Sequence, residues 1–200
     1  MNKLYYIADP MCSWCWAFSE ILTKVRDHYK NSVEFQYVMG GLAPDSEELM
    51  DEETIDYIKS HWRTIEERTG ADFNWDFWDL CKPRRSTYLA CRAVIAAANQ
   101  DSQDDMFYGI QYAYYQQARN PSDLLTLLQL AEGLGMERQQ FAHDIQSPAV
   151  EAKLQAHFET RRELKIYSFP SLILETENGR FSLSEGYSDW QSIERNILTG

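Results

Sequence analysis

Hydrophobic and polar positions change their period several times along the chain. Lys3 to Ala8 is short, aromatic and branched and ends at Asp9-Pro10, which predicts a buried strand. From Cys15 to Tyr29 the apolar residues Phe18, Ile21, Leu22, Val25 and Tyr29 recur at three- and four-residue steps. Glu20, Lys24, Arg26 and Asp27 fill the positions between them, so an amphipathic helix is predicted. Val33 to Met39 begins by alternating and stops at Gly40-Gly41, the pattern of a second strand and a turn. These forty residues read as a βαβ unit with a parallel strand pair and a right-handed crossover.

From Ser46 to about Leu164 the pattern is helical throughout. The spacing predicts helices over Glu47 to Thr69, Ser86 to Asn99, Ser102 to Ala118, Ser122 to Leu134 and Pro148 to Leu164. Ser86, Ser102 and Ser122 suit N-caps, Pro121 and Pro148 suit helix entry, and Gly70 and Gly135 suit helix ends. Strand character returns at Ser171 to Thr176, followed by the turn signal Glu177-Asn178-Gly179 and a partner run, Arg180 to Ser184. A last helix over Asp189 to Leu198 is expected, capped by Ser188 and packed through Trp190, Ile193 and Ile197. The order is βαβ, a helical block, then ββα. No repeat or glycine- and serine-rich linker interrupts it, so the block reads as an insertion in one fold.

Composition narrows the function classes. Of 200 residues 44% are hydrophobic and 14% aromatic, enough for a real core. The 31 acidic and 19 basic residues leave a formal charge of -12, which argues against nucleic acid or anionic membrane partners. No apolar run has the length of a membrane span, and the opening residues lack the form of a signal peptide. A cytoplasmic location is therefore expected, where a structural disulfide would be unusual and a close cysteine pair points to redox or metal chemistry.

The candidate chemistry sits in Met11-Cys12-Ser13-Trp14-Cys15-Trp16. Disulfide exchange needs one thiolate to attack and a second thiol within reach to resolve the mixed disulfide. With Cys12 at the start of a helix, free amide groups and the positive end of the dipole stabilise its thiolate. Cys15 then lies one turn in, more buried, as the resolving thiol. A structural zinc module is the metal alternative, but beyond this pair the chain offers only Cys81 and Cys91, ten apart, and none of its histidines pairs with another. No metal is expected.

Tyr6 to Trp16, the helical insertion, and Ser168-Phe169-Pro170-Ser171 before the next strand together resemble the DsbA family, in particular its FrnE-like and protein-disulfide isomerase branch. The resemblance covers essentially the whole chain. It implies an α/β thioredoxin fold from residues 1–45 and 165–200, with an inserted all-helical domain over residues 46–164. It also implies Cys12 as nucleophile, Cys15 as resolving cysteine and Pro170 as a cis-proline facing them. A thiol-disulfide oxidoreductase or isomerase acting on protein or small-molecule thiols follows, without a bound cofactor and with glutathione as a candidate reductant.

Ser13-Trp14 replaces the proline and histidine of the well-known periplasmic oxidants, which leaves the thiolate without a cationic neighbour between the cysteines and weakens the expectation of strong oxidising power. A related branch supplies the main alternative, the kappa-class glutathione transferases and 2-hydroxychromene-2-carboxylate isomerases. Their activating serine would align with Cys12, so a cysteine there argues for exchange. Met11 and Trp14 are expected on an exposed substrate rim, with Phe169 as a further substrate contact and Trp16 in the core. Asp9 reads as the residue before Pro10, with a cap on the turn into the helix as its alternative role, and Cys81 and Cys91 as small buried apolar residues. Trp62, Phe73, Trp75, Phe77, Trp78 and Tyr88 read as helix packing, with a groove floor as the alternative, and Tyr108, Tyr112, Tyr114 and Tyr115 as packing too, their number suggesting an amphipathic cleft wall.

Overall fold

A computed structural model describes residues 2–199; Met1 and Gly200, the outermost positions of the expected thioredoxin-fold segments, lie outside the described residues. Four strands, β1 (Asn2–Ala8), β2 (Val33–Met39), β3 (Ser171–Thr176) and β4 (Gly179–Glu185), form one sheet in the order β2-β1-β3-β4. β1 runs parallel to β2 and antiparallel to β3, and β3 pairs antiparallel with β4 through an irregularity at Leu172/Ile173. The centre of the sheet is β1, buried from Leu4 to Ala8, as its continuous apolar run requires. The Glu177-Asn178 turn closes the β3–β4 hairpin where the Asn-Gly signal falls.

The first predicted helix is two helices, α1 (Ser13–Ala17) and α2 (Ser19–Tyr29), broken at Phe18. The Phe18 amide donates back to the Cys15 carbonyl at 3.3 Å, and the Ser19 hydroxyl takes the Trp16 carbonyl. A side chain competing for a helical carbonyl produces such a break, and periodicity does not reveal it. α1 is left as one short turn and a half carrying the cysteines.

Between β2 and β3 lie α3 (Glu52–Thr69), α4 (Phe77–Leu80), α5 (Tyr88–Ala97), α6 (Gln103–Tyr115), α7 (Leu124–Gly133), α8 (Arg138–Asp144) and α9 (Pro148–Glu163); α10 (Trp190–Thr199) closes the chain. Several expected boundaries move. α3 starts five residues late, because Leu49 bridges to Arg84 and Asp51 caps the helix by accepting from the Thr54 amide at 2.8 Å. Ser86 and Ser122 bond to one another's neighbourhood instead of capping: the Ser122 hydroxyl donates to the Ser86 carbonyl at 2.8 Å, and the Ser86 hydroxyl accepts from the Ser46 amide. Ser102 sits at the start of α6 without a side-chain cap bond. Asp189, not Ser188, caps α10, accepting from the Ser192 amide at 2.8 Å. Gly70 ends α3 in the left-handed region at φ 73°, as expected of a helix-terminal glycine. α4 and α8 are too short for their periodicity to declare them.

Two packing features stand out, one among the helices and one between a helix and the sheet. Fully buried Trp62 of α3 stacks on Phe73 with centroids 4.7 Å apart and meets Tyr115 of α6 edge-on at 5.6 Å. On the far side, α9 docks on the outer edge of β2. There the Met39 amide donates to His157 Nδ1 at 3.1 Å, and Arg161 donates to the Gly40 carbonyl at 2.8 Å, one helical turn apart.

Burial, with a smaller contribution from Lys153, pulls the His157 imidazole down to about 4, from an ordinary value near 6.5. The unfolded chain thus binds a proton near pH 6.5 that the folded protein refuses until about pH 4, so this stability is present above 6.5 and lost as the pH falls. Between pH 7.5 and pH 5 this one group is expected to cost about 2 kcal/mol. Urea denaturation of the wild type and His157→Gln at the two pH values checks this. The variant should show the flatter dependence, and equal slopes would refute the assignment. Asp9, raised by its burial, acts in the opposite sense, and the difference between the two proteins removes it.

Candidate active site

The loop from β1 to α1 is tied down by Asp9. Its side chain is fully buried; one carboxylate oxygen accepts from the Met11 amide at 2.8 Å, and the other from the Leu42 amide at 2.8 Å and the Thr87 hydroxyl at 2.7 Å. Cys91 Sγ also points at it from 3.6 Å. Burial raises the Asp9 carboxyl while these donors hold it down. One carboxylate thus binds three segments, the reactive loop, the residues after β2 and the start of α5. The Met11 carbonyl is held from another side by the Tyr115 hydroxyl at 2.6 Å.

On this support Cys12 takes the N-cap position of α1 with extended backbone, its amide bonded to the Asp9 carbonyl at 3.0 Å. Its Sγ lies 3.8 Å from the carbonyl oxygen of Phe169, and the Phe169–Pro170 peptide is cis. Gly40 explains the close approach of this second loop. A Cβ there would meet the Phe169 ring at 2.3 Å, so only glycine leaves room for it beside β2. A Cβ on Gly41, at φ 67°, would likewise meet the Phe158 ring at 2.5 Å. Cys15 is buried, and its thiol is pushed well up by that burial and by Cys12, which keeps it protonated. Both cysteines are free thiols.

A groove of about 190 Å³ opens onto Cys12. Met11, Cys12, Trp14 and Phe169 line it, together with Met50, Tyr57, His61 and Arg85 from the segment between β2 and β3. Four of the residues expected from sequence therefore meet. Pro170 is buried in the adjoining loop, and Cys15 lies behind, not in the groove. Met11 is a correction: at 8% exposure it forms the floor and not an exposed rim, because Asp9 and Tyr115 hold its backbone inward. Trp14 is half-buried, its ring 5.3 Å from Tyr187, with the Arg68 guanidinium 5.5 Å away over its face. Trp16 is another correction, since it is only partly buried and donates through Nε1 to the Asp72 carbonyl at 3.0 Å. Of the four tyrosines, Tyr114 and Tyr115 belong to the core, whereas Tyr108 and Tyr112 are exposed. Among the described residues, no three His, Cys, Asp or Glu side chains are grouped to hold a metal ion.

A cysteine pair opening a helix beside a cis-proline loop, on a β2-β1-β3-β4 sheet with inserted helices, defines a DsbA-like thioredoxin fold. Residues 5–191 match the family model described as thioredoxin, and the chain belongs to that family. A crystal structure from Nitrosomonas europaea, described as a proposed protein disulfide isomerase, superposes with a TM-score of 0.87 at 27% identity, covering 99% of this chain and 96% of that one. The cytosolic disulfide reductase DsbM from Pseudomonas aeruginosa superposes at 0.79 with 24% identity, over 98% and 96% of the two chains, and its structure with GSH at 0.77 with 22%. At these identities the DsbM likeness speaks to fold alone. The ClpXP adapter protein SpxH of Halalkalibacterium halodurans is 22% identical over 88% of this chain, and that of Bacillus subtilis 22% over 85%. The chain spans 59% and 57% of the length of these curated relatives. No helix among the described residues is long and apolar enough to cross a membrane.

Proposed function

We propose that this protein exchanges disulfides through Cys12 and Cys15, and the placement of Cys12 carries the reading. Its sulfur stands at a helix start, against the Phe169 carbonyl and at the mouth of a groove, while Cys15 waits protonated behind it. The Cys12 thiolate attacks a substrate disulfide and releases one thiolate. Cys15 then gives up its proton, attacks Cys12 Sγ and releases the second thiolate, leaving a Cys12–Cys15 disulfide. Two external thiols, such as two glutathione molecules, restore the dithiol and leave as their own disulfide. Pro170 and Phe169 shape the wall against which the substrate disulfide lies, and Met11 and Trp14 supply its apolar contacts. Helical residues 46–164 act as the lid of this groove.

The substrate is a protein or small-molecule disulfide, and the preferred direction is reductive. Ser13-Trp14 places no cation between the cysteines, so the dithiol form lacks one of the charges that stabilise it in a strong oxidant. Work in the cytoplasm fits that direction, in keeping with the similar DsbM, described as a cytosolic disulfide reductase. The test is equilibration in glutathione redox buffers, with mass spectrometry of the trapped thiols. The reading expects one disulfide per chain, between Cys12 and Cys15, at a potential nearer about -270 mV than about -120 mV. A pair that stays reduced while Cys81 or Cys91 is oxidised would overturn it.

A further inference from the structure

A second, larger cleft of about 710 Å³ opens between α2, the end of α3 and α6. It shares no lining residue with the groove at Cys12. Its inner end is formed by Cys15, Tyr6 and Gln111. The Gln111 amide nitrogen is buried there, at 2% exposure, without a hydrogen-bond partner, and the Tyr6 hydroxyl, at 0% exposure, has only the weakly bonding Cys15 thiol beside it. Buried donors are nearly always paired in native proteins, with protein, water or ligand. An unpaired amide donor beside a hydroxyl with only a sulfur neighbour, both lining one cleft, points to an occupant.

The remaining lining specifies its chemistry. Trp16, Tyr37, Phe107 and Tyr108 supply aromatic walls, with Trp16 and Tyr108 at 6.2 Å between centroids. Trp16 is fixed in place by its bond to the Asp72 carbonyl. The rim carries the carboxylates of Glu20, Asp72 and Asp105, whereas Arg26, the one Lys or Arg among the lining residues, is engaged by Asp104 at 2.7 Å. Such a rim repels anions. A volume within about 300–1,000 Å³, with apolar walls and a few convergent polar groups, is that of a small-molecule site.

We infer that this cleft binds a small planar aromatic molecule, uncharged and carrying a carbonyl-type acceptor that receives the Tyr6 and Gln111 donors. The ring stacks between the aromatic walls, and the acceptor lies beside Cys15. This binding goes beyond disulfide exchange and requires no thiol reactivity.

The experiment titrates the full reduced chain with 1-naphthamide and with 1-naphthoate, which has a similar shape and a negative charge. Calorimetry supplies affinity and amide NMR shifts supply location. Saturable binding of 1-naphthamide, at least tenfold tighter than 1-naphthoate and with shifts centred on Trp16 and Gln111, is expected. Gln111→Leu should weaken it tenfold or more. Tyr108→Ala, at an exposed position that folding does not depend on, should weaken it as well and decides the matter if Gln111→Leu does not fold. Non-saturable binding, equal affinity for the naphthoate, shifts centred on the Cys12 groove, or wild-type affinity in the variants would each overturn the proposal. Exchange activity is measured separately, so either reading can fail without the other.

Discussion

Cys12→Ser is expected to lower disulfide-exchange turnover by on the order of a thousandfold or more, since it removes the attacking sulfur itself. Cys15→Ala should behave differently. Its Cys12 still attacks, but with no second thiol behind it the mixed disulfide persists. Incubation with a disulfide substrate followed by acid trapping and mass spectrometry should give a Cys12 adduct in Cys15→Ala and none in Cys12→Ser. Two variants with equal residual turnover and no adduct would place the chemistry elsewhere. The asymmetry follows from geometry, because Cys12 lines the groove and Cys15 does not.

The second large effect is on stability. Asp9→Ala is expected to cost about 3 kcal/mol, because the buried Met11 amide and the Thr87 hydroxyl lose an acceptor together, and the part-buried Leu42 amide keeps only its bond to the Thr87 hydroxyl. Asp9→Asn should recover only part of this. An amide offers one oxygen where the carboxylate offers two, and turns an N–H toward donors. Chemical denaturation at pH 7 checks both, and a loss under about 1 kcal/mol for Asp9→Ala would show that water replaces the carboxylate. Because Asp9 also sets the Met11 backbone, exchange activity should fall in the same variants.

These two residues mark how far the sequence was legible. The cysteine pair announces itself by spacing and by the strand before it. The strand bounds Val33–Met39 and Ser171–Thr176 follow from pattern and punctuation alone. Asp9 was readable as the residue before Pro10 or as a cap on the local turn, but not as the tie between segments, because Leu42, Thr87 and Cys91 stand 33, 78 and 82 residues along the chain. The break at Phe18 is also silent in periodicity, as the apolar stripe runs straight through it while the Ser19 hydroxyl interrupts the ladder. The approach of Phe169 to Cys12 rested on resemblance; nothing local links residues 157 apart. Gly40-Gly41 was seen as a turn signal, although its larger role is the space it leaves for the Phe169 and Phe158 rings.

The docking of α9 has one more consequence. A sheet ends in unpaired backbone groups that invite a strand from another molecule. At the end of β2, His157 and Arg161 already occupy the outward amide of Met39 and the carbonyl of Gly40, so that end of the border is closed to such recruitment. The opposite border is β4, where Arg180 and Glu185 stand exposed, and charges there discourage the stacking of one copy's sheet onto the next. The fold thus guards its two borders by different means, a helix on one and charge on the other, and loss of the α9 contacts would leave β2 the more adhesive of the two.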